Sequence, residues 1–240
     1  MIISERYQFI FIHLPKNAGT SVAAALIEYA APEQQVRLNR ILKKAGVSFL
    51  EPVPFKPTYT AREWVSKALN MALRKTCNQF RLAPYAYWDH ISARDLIENI
   101  GEDGYQAYFS FAIIRNPWAR HLSHYNYLLQ NHRHPRHKEI LALGSFDAYL
   151  LQWLPAHAGK GQWAAIYNDD MQPLVSYVAR YENLQSDFTE LCRQIGIPSN
   201  LPHINRTWHK GYQQYYSPAS RDIVAEISAK DIEIFGYTFE

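Results

Sequence analysis

At 240 residues, 48% of them hydrophobic and 20% charged, the chain can enclose the core of one α/β domain, and 1–240 reads as a single domain. It has no run near the ~18 uninterrupted apolar residues of a membrane span, no leader-like start in MIISERYQF, and only two cysteines, Cys77 and Cys192, outside any metal-like pair, so a soluble, cytoplasmic protein with buried reduced thiols is expected. The net charge of +3 is uneven: between Gln34 and Arg94 eleven Lys or Arg stand against Glu51, Glu63 and Asp89, an excess of +8 that reads either as solvated helix faces or as attraction of something anionic, such as an acidic polysaccharide, a nucleotide or a membrane surface.

Tyr7 to Leu14 is an apolar, aromatic run of strand length without alternation, as in a strand covered on both faces. A polar loop from Pro15 to Gly19 and an Ala- and Leu-rich stretch from Thr20 to Ala30 complete a strand, loop, helix unit. Pro32, Pro52, Pro54 and Pro57 bracket a helix around Glu33 to Ala45 and open a loop before another at about Ala61 to Thr76. The basic residues make 33–88 a peripheral insertion. A second unit starts near Tyr105: YQAYFSFAII supplies a strand, Asn116 can cap, Pro117 suits the first helical position, and the helix runs to about Leu129. After the basic loop NHRHPRHK come a helix near Phe146 to Leu154, an irregular stretch, a short strand from Leu174 to Tyr181, and helices at Asp187 to Ile195 and Ser220 to Ile234. The alternation predicts an α/β, P-loop-like three-layer sandwich with a central, mainly parallel sheet and helices on both faces.

Pro15-Lys16-Asn17-Ala18-Gly19-Thr20-Ser21 lies between a buried strand and a helix N-terminus, where free N–H groups and the positive dipole end favour a phosphate. Gly19 permits close backbone approach, Lys16 adds a point charge, and Thr20 and Ser21 add hydroxyl donors. In a Walker A loop the Lys directly follows the last Gly and a Ser or Thr holds magnesium. Here Lys16 precedes Gly19 by three positions, and the second strand ends in Ile114-Arg115 rather than an acid. No divalent metal is called for, and a P-loop kinase or hydrolase is disfavoured; a catalytically silent nucleotide-binding module is the other class that competes.

The partner motif is Arg115-Asn116-Pro117-Trp118-Ala119-Arg120-His121-Leu122-Ser123. Arg115 emerges at a carboxyl strand end, where open α/β sheets bind ligands. Ser123 lies ~10 Å up the helix, so the two can share one anion lying alongside it. Together the two motifs resemble the sulfotransferases that use 3′-phosphoadenosine-5′-phosphosulfate (PAPS), in the carbohydrate sulfotransferase branch of the family 2 type. The resemblance continues in Asp89-His90, Arg180-Tyr181-Glu182-Asn183-Leu184, Leu201-Pro202-His203-Ile204-Asn205 and DIEIFGYTF from Asp231, and is weakest from about Glu33 to Trp88. It implies an O-sulfotransferase that moves a sulfuryl group from PAPS to a hydroxyl, expected to be on a carbohydrate, and releases PAP without a metal. A lipid or small hydroxyl compound is the alternative acceptor. The loop Lys16, Asn17, Ala18, Gly19, Thr20 and Ser21 is implied to hold the 5′-phosphosulfate, and Arg115 with Ser123 the 3′-phosphate. Lys210-Gly211 is similar to a Lys-Gly pair that other sulfotransferases bring to the 3′-phosphate, with His209 where Arg is usual.

Sulfuryl transfer needs charge stabilisation on the departing phosphate oxygen, assigned to Lys16, and a base for the acceptor hydroxyl. His90 is the expected base, because imidazole titrates near neutrality and similar enzymes place a His in this region. His13 and Glu182 stand behind it. His132, His134 and His137 read as a solvated or substrate-facing loop rather than a metal site. Arg180 and Glu182 can join the site or tie the sheet end. Trp118, Tyr125, Tyr127, Trp153 and Trp163 can form a sugar platform, although core packing accounts for most of them.

Overall fold

The computed structural model describes residues 1–52, 58–86, 89–202 and 211–240. Its strands are β1 (Ile2–Ser4), β2 (Phe9–Ile12), β3 (Phe109–Ile114) and β4 (Tyr177–Arg180), and they form one sheet in the order β1-β2-β3-β4. β1 runs antiparallel to β2, whereas β2, β3 and β4 are parallel, with Ile12 beside Ala112 and Ile114 beside Arg180. The helices are α1 (Gly19–Ala30), α2 (Glu33–Lys44), α3 (Ala61–Phe80), α4 (Ala93–Ile100), α5 (Glu102–Gln106), α6 (Pro117–Gln130), α7 (His137–Ala142), α8 (Phe146–Ala148), α9 (Leu154–His157), α10 (Leu184–Ile195), α11 (Pro218–Ile227) and α12 (Ala229–Phe235). This is the expected α/β architecture with a mainly parallel sheet.

The described residues divide into two compact units, the first drawn from Met1–Ile114 and Ile166–Asn205, the second from Arg115–Ala165 and Arg206–Glu240. In the first, Phe9 and Phe11 of β2 pack with Val22, Leu26 and Ile27 of α1 and with Phe188 and Leu191 of α10. Ile10 and Ile12, which point the other way, are equally buried. Both sheet faces are covered, which is why β2 reads as an uninterrupted apolar run. In the second unit, Trp118, Leu122 and Leu128 of α6 pack with Tyr149, Leu150, Trp153 and Val224.

Several boundaries depart from the sequence reading. Tyr105 and Gln106, expected in a strand, close α5, which opens at Gly101 with Glu102 and Asp103 in its first turn, where acids favour a helix start. Between α8 and α9 the chain widens into a π-helical turn, Tyr149–Trp153. It precedes Pro155, whose missing N–H removes an α-type bond. β1 is three residues long, too short to show periodicity.

The insertion forms α2 and α3 near the expected bounds, with α3 opened by a Thr60–Glu63 capping box. Both helices hold the intervening backbone through polar side chains. Asn39 Oδ1 accepts from Phe49 N at 2.9 Å and Leu50 N at 3.3 Å, Ser66 Oγ accepts from Ser48 N at 3.0 Å, and Asn70 Nδ2 donates to Leu50 O at 2.8 Å. Asn39 is fully buried, so Asn39→Ala leaves two backbone donors without their acceptor. It is expected to lower the unfolding free energy by about 1–3 kcal/mol, read as a shifted urea midpoint at unchanged slope.

Candidate active site

β2 delivers the chain into a turn that the sequence strains. Lys16 (φ 70°) and Ala18 (φ 60°) are both left-handed, a conformation that costs a non-glycine residue about 1–2 kcal/mol. Asn17 between them is buried and donates from Nδ2 to Ile113 O at 2.7 Å, which ties the turn to the end of β3. α1 starts at Gly19 without a side-chain cap, its third and fourth N–H groups, those of Ser21 and Val22, returning to Ala18 O. The turn therefore offers an uncapped, positive helix end beside the half-buried Lys16 and Thr20 and the buried Ser21. These are the features that a phosphate or sulfate oxygen requires.

Gly19 is needed for a reason beyond the turn. A Cβ placed there would lie 1.6 Å from His13 Nε2, so the His13 ring occupies the space that any other residue would fill. The ring stacks on Phe11 at 5.6 Å and tilts against His90 at 4.7 Å between centroids. Burial, reinforced by neighbouring positive groups that include His90 and Arg74, holds His13 well below the ordinary histidine range, so it remains a neutral ring. Its carbonyl has a separate use: His90 Nδ1 lies 2.9 Å from His13 O. A carbonyl only accepts, so Nδ1 carries the proton and the exposed His90 keeps its lone pair on Nε2. Asp89 does not orient this ring. It pairs with Arg74 of α3, whose guanidinium also sits 4.5 Å from the Tyr85 ring centroid.

In the second unit, Arg115 is buried and its backbone is gripped by one side chain. Arg115 N donates to Gln162 Oε1 at 2.9 Å and Gln162 Nε2 donates to Arg115 O at 2.8 Å. Gln162 is in turn set by Asp231, whose carboxylate accepts from Gln162 N at 2.9 Å and Trp163 N at 2.8 Å. Gly161, at φ 94°, leaves that carboxylate the room a Cβ would crowd at 3.0 Å. Asn116 caps α6 as expected, its Oδ1 accepting from Trp118 N at 3.1 Å and its Nδ2 donating to Thr238 O at 2.8 Å, with Pro117 next. Ser123 is half-buried two turns on. Burial depresses Arg120 below its usual value, against the pull of Asp231, and pushes His121 down to about 3.

The remaining candidates divide. His137 begins α7 and is buried, with Nδ1 donating to Leu128 O at 3.0 Å and Nε2 3.1 Å from His132 Nδ1, so this member of the basic loop is structural rather than solvated. Among the described residues no group of three or more ligand side chains is arranged for a metal ion. Trp118 and Trp153 belong to the core, Trp153 stacked between Tyr149 and His157. Arg180 N donates to Asp187 Oδ2 at 2.7 Å at the end of β4. His203, His209 and Lys210 lie outside the described residues. Gln162, and the parts played by His13 and Asp231, escape sequence reading, and only the DIEIFGYTF ending marked Asp231 at all.

The family model described as Sulfotransferase family matches residues 1–238. No curated protein and no solved structure matches the chain.

The contact of His13 with Gly19 gives a coupling test. Gly19→Ala is expected to destabilise the fold by about 1–3 kcal/mol through forced displacement of the ring. Combined with His13→Ala, the loss should fall short of the sum of the two single losses by about 1 kcal/mol or more, measured by urea unfolding of all four proteins.

Proposed function

The chain belongs to the sulfotransferase family, and from that premise we propose that it moves a sulfuryl group from PAPS to a carbohydrate hydroxyl, releasing PAP. The observation that carries the donor assignment is the uncapped start of α1 beside Lys16, after a turn tied down by Asn17. In this reading Lys16, Asn17, Ala18, Gly19, Thr20 and Ser21 surround the 5′-phosphosulfate, and Arg115 and Ser123 hold the 3′-phosphate. The buried bracing of the Arg115 backbone supports a fixed role for that side chain, since an ion-binding group that need not rearrange loses less on binding.

The chemistry follows from these placements. The acceptor oxygen attacks sulfur in line as the bond from sulfur to the 5′-phosphate oxygen breaks. The acceptor proton passes to Nε2 of His90, the nitrogen with the lone pair in the tautomer whose Nδ1 donates to His13 O. Negative charge builds on the departing phosphate oxygen, where Lys16 and the N–H groups of α1 stabilise it. A carbohydrate acceptor is favoured by the family branch that the motifs resemble.

Two substitutions separate the roles. Arg115→Ala should weaken PAP binding by about 2–4 kcal/mol through loss of a charge-assisted contact, while leaving adenosine 5′-phosphosulfate, which has no 3′-phosphate, nearly unaffected; calorimetry with EDTA present reads both. Equal losses for the two ligands would make Arg115 a structural residue.

His90→Ala should lower the single-turnover rate by roughly 10²- to 10⁴-fold, the range of a positioned general base, with PAP affinity within about twofold of the parent, since a base acts only in the transition state. Near-normal turnover would pass the role to His13 or Glu182.

A further inference from the structure

Helices α2 and α3 face inward largely through polar side chains, with Val36, Leu73 and Cys77 as their apolar contacts to the core. Their inward side chains are Asn39, Ser66, Asn70 and Cys77 together with Val36, while Leu38, Ile41, Trp64, Val65, Leu69 and Met71 are exposed, Ile41 and Met71 to more than 60%. At 100° per residue, positions 64, 65, 68, 71 and 72 of α3 share the half of the helix opposite 66, 70 and 77, and the exposed Leu69 stands at its border. Exposed apolar side chains are ordinarily scattered singly, and a grouped set marks an interaction surface.

Cations accompany this face. The Lys67 ammonium sits 4.5 Å from the Tyr59 ring centroid and 5.3 Å from that of Trp64. Arg62 lies against Gly46, just beyond α2. Arg37, Arg40 and Lys43 pair with Glu33, Glu28 and Glu51, whereas Lys44, Arg62 and Lys75 are exposed and meet no carboxylate among the described residues. An acidic polysaccharide would satisfy these cations but leave Ile41, Val65 and Leu69 in water. A second copy of the chain would bury the apolar residues but set the same cations against one another. Anionic phospholipid meets both requirements, because aliphatic and Trp side chains enter the boundary between headgroups and acyl chains while Lys and Arg meet the phosphates. No described helix is long and apolar enough to cross a membrane, so such contact is peripheral.

We propose that the exposed face of α3, with Leu38 and Ile41 of α2, docks on an anionic phospholipid surface. The proposal goes beyond sulfuryl transfer and is tested without it. The full chain is sedimented with vesicles of phosphatidylcholine alone and of phosphatidylcholine mixed with phosphatidylglycerol, at low and raised salt. Partitioning onto the mixed vesicles should exceed that onto phosphatidylcholine by about tenfold or more and fall as salt rises. The double substitution Trp64→Ser/Leu69→Ser and, separately, Arg62→Glu/Lys75→Glu should each weaken it by about tenfold with cooperative unfolding and far-ultraviolet circular dichroism retained, since all four side chains are exposed. Failure to sediment with the mixed vesicles would overturn the proposal. So would binding that ignores Trp64→Ser/Leu69→Ser, which would leave a polyanion site of charge alone, or a dimer in lipid-free sedimentation equilibrium that this variant dissociates, which would make a second copy the occupant.

Discussion

The close approach of the His13 ring to the Cα of Gly19 is the contact on which the first unit's candidate site depends. With a ring atom 1.6 Å from the position of an absent Cβ, residue 19 can only be glycine while His13 stays in place. The ring stays because it is stacked on Phe11 at the end of β2 and is held neutral by burial. Two features meet at His13: its ring lies against the first turn of α1, and its carbonyl accepts from His90 Nδ1, which fixes that ring's tautomer. Placement of the α1 start and the tautomer of the proposed base thus both involve His13, through its ring and its carbonyl respectively.

The second unit uses a different device for a similar end. Arg115 has an obvious charged side chain, but its backbone is fixed by the Gln162 amide, which supplies a donor and an acceptor in the manner of a neighbouring strand. The Asp231 carboxylate accepts from two consecutive backbone N–H groups, those of Gln162 and Trp163. Buried amide and carboxylate groups of this kind are costly unless fully engaged, so a rigid Arg115 backbone is bound up with the stability of the second unit's interior.

What the sequence made legible is what local chemistry determines. The strand, loop and helix around PKNAGTS, and the cap and first turn at Asn116-Pro117, depend on contacts a few residues apart and were read close to their actual bounds. Gln162 and Asp231 are 69 residues apart, and nothing near either signals the other. At α2 and α3 prolines and charge mark the helices but not their inward sides, because asparagine and serine bind the 48–50 backbone while Leu38, Ile41, Trp64, Val65 and Met71 face outward. His137 was hidden by composition, since NHRHPRHK looks like a solvated loop, yet the helix start and the Leu128 carbonyl bury the ring. The pairing of Asp89 with Arg74 rather than with the adjacent His90 shows in the same way that neighbours in sequence need not be partners.

Sulfuryl transfer from PAPS to a sugar hydroxyl is tested most directly by incubating the purified protein, in EDTA, with PAPS labelled in the sulfuryl group and a panel of neutral and acidic glycans, lipids and small hydroxyl compounds. Label should pass to a glycan, with one PAP released per group transferred. Label that reaches only lipid or small hydroxyl compounds would contradict the acceptor assignment, and the absence of transfer to any hydroxyl compound would contradict the account as a whole.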